Sequence, residues 1–185
     1  ARLGLFLGIR IFVRGSDWRF EKLVGGGAAY NNFGWSSQAT WVFLQGICLW
    51  LCHHRTAAVA DMALGALDYA GAALALGGLL FEHVADVQKS RWNAQFRSGK
   101  QKTWLHTGLW RYSRHPNYFG ESVCWLGMAL IGAAGVGGLT TARGLLCLLS
   151  PVWSATFLFF TSLMLLEKRL DGRFMEKRLV AKAGD

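Results

Sequence analysis

The sequence predicts an all-α fold, a multi-pass transmembrane helical bundle formed as a single membrane domain over residues 1–185. Three observations lead there. Hydrophobic residues make up 52% of the chain and charged residues 17%, with a mean hydropathy of +0.25; a soluble domain carries about 25% charge. Apolar runs recur at about 1–13, 35–53, 62–83, 122–138 and 144–166. The net charge of +9 is gathered in the polar segments 14–22, 89–114 and 168–182, which alternate with those runs. A basic chain often binds nucleic acid. Here the alternation follows the positive-inside rule instead, so no nucleic-acid partner is expected.

Residues 1–13, ARLGLFLGIRIFV, read as the end of a helix. The chain opens inside this apolar run without Met, as expected of a piece of a longer protein. Arg10 and Arg14 share a helical face. They either snorkel to headgroups or hold a carboxylate or phosphate. Residues 14–37 are polar and contain Gly25-Gly26-Gly27, which predicts a loop or interfacial segment. The next run, QATWVFLQGICLWLC, is shorter than the roughly 20 residues of a full crossing, so its helix should begin near Phe33 or tilt.

The run from residue 62 is rich in Gly and Ala, which permits close helix approach. Asp68 is expected about two turns inside it, either as a functional carboxylate or as a solvated helix end. Beyond it, Glu82, Asp86, Lys89 and Asn93 recur at helical spacing and form one polar stripe. The stripe is either a solvated face or the floor of a site. Residues 94–107 form a polar connector. The runs 122–138 and 144–166 form a hairpin with a turn at 135–141 and a kink at Pro151. An even number of crossings puts 14–37, 84–121 and 167–185 on one face, which the basic bias makes cytoplasmic. Cys48, Cys52, Cys124 and Cys147 lie in apolar runs and read as small buried hydrophobes, with no metal site expected.

The densest chemistry is the stretch from Gly108 to Glu121, GLWRYSRHPNYFGE. Arg111 and Arg114 supply forked donors suited to phosphate. Pro116 is expected to hold an extended turn ahead of the next helix. Asn117 offers a donor and an acceptor, and Trp110 and Tyr118 offer flat rings. Glu121 is expected at the start of that helix, where a carboxylate complements the dipole. No GxGxxG or Walker loop is present, so a nucleotide would be held by side chains between helices. The residues alone leave three ligands open: a nucleotide, an anionic lipid headgroup, or the membrane interface itself.

LWRYSRHPNYFGE resembles the hallmark of the steroid 5-alpha-reductase and sterol reductase superfamily, in its uncharacterised membrane oxidoreductase branch. RLGLFLGIRIFVRGSDWRF, FEHVADVQKSRW and LLEKR extend the likeness over roughly the whole chain. The shorter RHPxYxG core also occurs in isoprenylcysteine carboxyl methyltransferases. The resemblance implies a membrane enzyme of the endoplasmic reticulum or another organelle. NADPH would lie at its cytoplasmic face and deliver hydride to a carbon–carbon double bond of a lipid or sterol-like substrate. Carried over by position, Asp86, Lys89, Leu105, Trp110, Asn117 and Tyr118 match cofactor-side residues, with Arg114 and Glu121 beside them. Glu167 and Arg173 match polar positions after the last run. Membrane lipids, a hydrophobic small molecule and a membrane protein complex are the partners implied.

Two departures stand out. The upstream half, where steroid-type relatives carry their acid, is not in this sequence, so no catalytic residue is assigned. The chain also ends RFMEKRLVAKAGD, without the Tyr and Pro of similar tails. Two alternatives therefore stay open: an S-adenosylmethionine-dependent methyltransferase of the isoprenylcysteine type, and a non-catalytic subunit of a larger membrane complex.

Overall fold

A computed structural model describes residues 12, 27–53, 63–101 and 103–163. Most of the first expected span, the polar segment 14–22, the basic tail 168–182, Glu167 and Arg173 lie outside the described residues. Every regular element among the described residues is helical. Helix α1 is Gly27–Gln45 and α2 is Ile47–His53. Helix α3 is Ala66–Arg97 and α4 is Pro116–Ala134, with a 3-10 turn at Gly108–Arg111 between them. Helices α5 (Ala142–Cys147) and α6 (Leu149–Phe157) follow, and a π-helical segment, Leu158–Leu163, continues α6. The chain divides into two compact units, 1–43 and 44–185, with the boundary in the last turns of α1.

Among the described residues, two helical stretches are long and apolar enough to cross a membrane: Ala66–Arg97 and Ala142–Phe160. They match the runs expected from 62 and from 144. Their packing also has a membrane character. In the larger unit the fully enclosed residues are small: Ala85, Ala129, Ala133, Cys48 and Cys147 have no exposed surface. Large apolar side chains point outward instead, Leu76 and Leu80 being 62% and 64% exposed. Water would penalise that arrangement, whereas lipid does not.

Three expectations are corrected. Helix α1 starts at Gly27, so residues 27–37 are helical and not a loop. Ala28 and Ala29 directly follow the triple glycine and favour the helix. Asp68 lies in the first turn of α3, not two turns in, and its Oδ2 accepts from the Gly65 N–H at 2.9 Å. Its carboxylate is therefore a helix cap. Helix α4 begins at Pro116, inside the expected loop. A proline at the first helical position loses no hydrogen bond and brings a helical φ. Pro116 thus starts the helix it was expected to delay.

The polar stripe behaves as the spacing predicts. Helix α3 runs unbroken for 32 residues, about 48 Å, well beyond a bilayer core of about 30 Å. Pro151 has the expected effect one turn upstream. It has no N–H to offer the Cys147 carbonyl, and the chain breaks at Leu148 between α5 and α6. The hairpin turn is closed by Thr141, whose Oγ1 accepts from the Gly144 N–H at 3.0 Å and donates to the Gly138 carbonyl at 2.9 Å.

Helices α3 and α4 make the principal contact of the larger unit. They are antiparallel, with Gly71 beside Gly127 and Gly78 beside Gly120. The glycines are seven apart on both helices and form one facing stripe. A Cβ on Gly120 would sit 2.6 Å from the Glu82 backbone nitrogen and 2.9 Å from the Gly78 carbonyl oxygen. The two backbones touch, which only glycine permits.

Candidate functional site

The same approach places the Gly108–Glu121 segment. Bringing Gly120 against Gly78 and Glu82 sets the first turn of α4 beside the polar stripe of α3. Three hydrogen bonds then fasten the segment to α3, one of them to Asp86 of the stripe. The Leu109 N–H donates to Gln88 Oε1 at 2.9 Å. The Trp110 indole Nε1–H donates to the Ala85 carbonyl at 3.0 Å. Asn117 Nδ2 donates to Asp86 Oδ1 at 3.3 Å. Gly108 has φ +61°, and a Cβ there would lie 2.6 Å from Gln88 Oε1. Only glycine combines that backbone conformation with that approach.

The Asp86 carboxylate can only accept, so the Asn117 amide must face it through nitrogen. The amide oxygen, Asn117 Oδ1, is thereby turned away. It is buried and has no hydrogen-bond partner, which is an unusual state for a buried acceptor. Lys89 Nζ lies 5.1 Å from the centre of the Trp110 ring, a cation–π distance. One face of Trp110 is therefore taken by the protein's own cation.

Glu121 is the sixth residue of α4, past its first turn, so the expected dipole role does not hold. It sits just before the apolar run, partly buried, and faces the field of Glu82 and Asp86. Burial, with those two charges adding, pushes its carboxyl up to about 7. The native state therefore keeps a proton that the unfolded chain releases between its ordinary value of 4.5 and about 7. Stability falls as pH rises through that window and stays lower above it. Partial solvent screening leaves an effect of about 1–3 kcal/mol. We expect Glu121→Gln to melt higher than the wild type at pH 8 and close to it at pH 4.5, measured as Tm in detergent. Equal differences at both pH values would show that Glu121 does not titrate in this window.

Arg114 and Tyr118 are set apart from this cluster. They line a groove of about 380 Å3 between the segment and the end of α6. The His115 and Tyr118 rings stack at 5.0 Å with 15° between planes. Ser113 and Ser122 add hydroxyls, while Phe119, Leu158 and Phe159 form the apolar wall. Along α4, Asn117 and Glu121 share the face toward α3, while Tyr118 and Ser122 share the face toward the groove. The residues matched through the resemblance thus fall on two sides of one helix. Asp86, Lys89, Trp110, Asn117 and Glu121 come together at the α3 seam, and Arg114 and Tyr118 face the groove. Leu105 is half-buried in the connector.

Gln88 and the Ala85 carbonyl were not anticipated as partners of the segment. Ala85 gave no side-chain signal, because it acts through its backbone. Gln88 is three residues after Ala85 and so on the same face, but that face is identified only once Gly78 and Gly120 are seen to touch.

Over residues 1–181 the sequence matches the family described as protein of unknown function DUF1295. The chain belongs to the DUF1295 family. No curated protein and no solved structure matches it. The match covers the whole seam and groove of this DUF1295 chain, so the two-sided arrangement lies entirely inside the family's domain.

Proposed function

We propose that this DUF1295 chain is a membrane-embedded, NADPH-dependent reductase of a carbon–carbon double bond in a lipid or sterol-like substrate. In this reading the domain is a multi-pass bundle in an organellar membrane, with the Gly108–Glu121 segment at its cytoplasmic face. The single observation that carries the reading is the docking of that segment on α3. It leaves an unmet buried acceptor, Asn117 Oδ1, on the α3 side of α4, and on the other side a groove bearing Arg114 and the stacked His115–Tyr118 rings.

The donor set suits a nucleotide. The Arg114 guanidinium matches a phosphate. The ring pair offers a stacking surface for a base. Asn117 Oδ1 can accept from an amide or amino N–H, such as that of a carboxamide or an adenine. NADPH, when bound, supplies hydride. The protein's part is alignment. Gln88 and Ala85 hold the turn, Asp86 fixes the direction of the Asn117 amide, and the wall of Phe119, Leu158 and Phe159 excludes water from an apolar substrate.

The three anchoring hydrogen bonds would also keep the segment folded without any ligand, which favours a structural subunit as the second reading. Titrating the detergent-solubilised protein with NADPH and with S-adenosylmethionine separates the readings. We expect saturable NADPH binding, weakened about ten- to hundred-fold in Asn117→Ala, as for an unsatisfied buried hydrogen bond. Tighter binding of the methyl donor would replace the reductase by a methyltransferase. Binding of neither would leave the structural subunit.

A further inference from the structure

A second set of unmet polar groups lies away from the groove, where α2, α4 and α6 meet. Gln45 is 2% exposed and Ser154 is 1% exposed. Neither polar atom of the Gln45 amide has a hydrogen-bond partner, and nor does Ser154 Oγ. Apolar or small residues surround this region: Cys48, Ala129, Ala133 and Cys147 form the enclosed core. Unmet polar atoms in such a setting are costly, about 1–3 kcal/mol for each group, and native proteins rarely leave them so.

The helix directions set the two residues level with one another. A Cβ on Gly132 would meet Cys48, and one on Gly135 would meet Cys52, so α2 runs parallel to α4. A Cβ on Gly132 would also meet Cys147, and one on Gly144 would meet the Gly138 carbonyl, so α5, which α6 continues, runs back antiparallel. Hence α2 and α6 are antiparallel to each other. Ser150 Oγ fixes their register. It accepts from the Cys48 N–H and donates to the Leu44 carbonyl, both at 3.4 Å. One turn back from Cys48 is Gln45, and one turn on from Ser150 is Ser154. They continue the same contact by one turn.

We propose that Gln45 and Ser154 form a site for a small neutral oxygen: a water molecule or the hydroxyl end of a membrane-dissolved alcohol. The chemistry demands a ligand that both donates and accepts. Gln45 presents an acceptor oxygen and an NH2 donor, and Ser154 presents a hydroxyl that does either. A hydroxyl or water bridging them meets all three atoms. A charged ligand would find no countercharge among these groups and would be held poorly in so apolar a setting. The site rests on burial and register alone and is independent of any cofactor at the groove.

The test is a double-mutant cycle on the full chain in detergent, with Gln45→Met and Ser154→Ala chosen to keep shape. A bridging oxygen predicts that each single variant lowers Tm by roughly 2–6 °C, since each leaves the other group with a weakened bridge. The double variant should recover part of that loss, because no polar atom then remains to be met. A dry site predicts the reverse: each single variant raises Tm or leaves it unchanged. That result would overturn the proposal. Titration with 1-octanol assigns the source. A saturable rise in wild-type Tm that disappears in the double variant identifies an alcohol, and a flat response identifies water. If Gln45→Met does not fold, Ser154→Ala alone still decides by the sign of its shift.

Discussion

Gly120→Ala is expected to lower the melting temperature by about 6 °C or more. The added methyl would lie 2.6 Å from the Glu82 backbone nitrogen and 2.9 Å from the Gly78 carbonyl. Neither is the end of a flexible side chain, so the clash is relieved only by moving the helices apart. Overpacking of side chains costs about 1–3 kcal/mol. A clash of backbone on backbone belongs at or above the upper end, a fall in Tm of about 6 °C or more. Gly78→Ala should behave alike, since its Cβ would lie 2.6 Å from the Gly120 carbonyl. Gly77 is the control. It precedes Gly78 by one residue on the same helix, and a Cβ there meets nothing within 4 Å. Gly77→Ala should raise stability by up to about 1 kcal/mol, through helix propensity alone. Detergent melting of the three variants tests the seam. A harmless Gly120→Ala would mean that α3 and α4 do not touch through their backbones.

Gln88→Leu is expected to free the Gly108–Arg111 turn while leaving the helices in place. The substitution removes the acceptor of the Leu109 N–H. A lost hydrogen bond with a stranded donor costs about 1–3 kcal/mol. Local opening of the turn then becomes about ten- to hundredfold more frequent, which hydrogen exchange reads directly at the Leu109 amide. Exchange in the middle of α3 should not change. On the proposed function, NADPH affinity should fall too, because Trp110 is positioned by that turn. Faster exchange spread through α3 and α4 would instead show that Gln88 supports the fold as a whole.

Both predictions rest on features of which the sequence showed one half. Glycines seven apart at 71 and 78, and again at 120 and 127, are visible in the letters. That the two stripes face each other is not, because any two small-residue stripes in the chain are candidates for pairing. The polar stripe Glu82–Asp86–Lys89–Asn93 was legible for a related reason: periodicity within one helix is a local property. Its two readings, solvated face or floor of a site, differ in what covers the stripe, and only the structure shows Asp86 and Lys89 meeting Asn117 and Trp110. Pro116 went the other way. The residue supports either an extended turn or a helix start, and the packing of Gly120 on Gly78 selected the helix start. That choice moved Glu121 out of the first turn and made it a partly buried acid in the field of Glu82 and Asp86.

By itself, then, the sequence determined the helical class, the apolar runs from about 62 and 144 that the helices follow, the interruption near Pro151 and the segment where polar and aromatic groups are concentrated. Each follows from composition or from spacing along one element. Tertiary structure alone decided which polar groups have partners. It turned Asn117 to Asp86 and left Oδ1 unmet, and it seated Lys89 on Trp110. It also separated Arg114 and Tyr118 from the seam and buried both Gln45 and Ser154. The physical reason is common to all four. A polar side chain's role depends on what lies within about 3 Å of it, and across a backbone-to-backbone helix contact those neighbours come from residues distant in the chain.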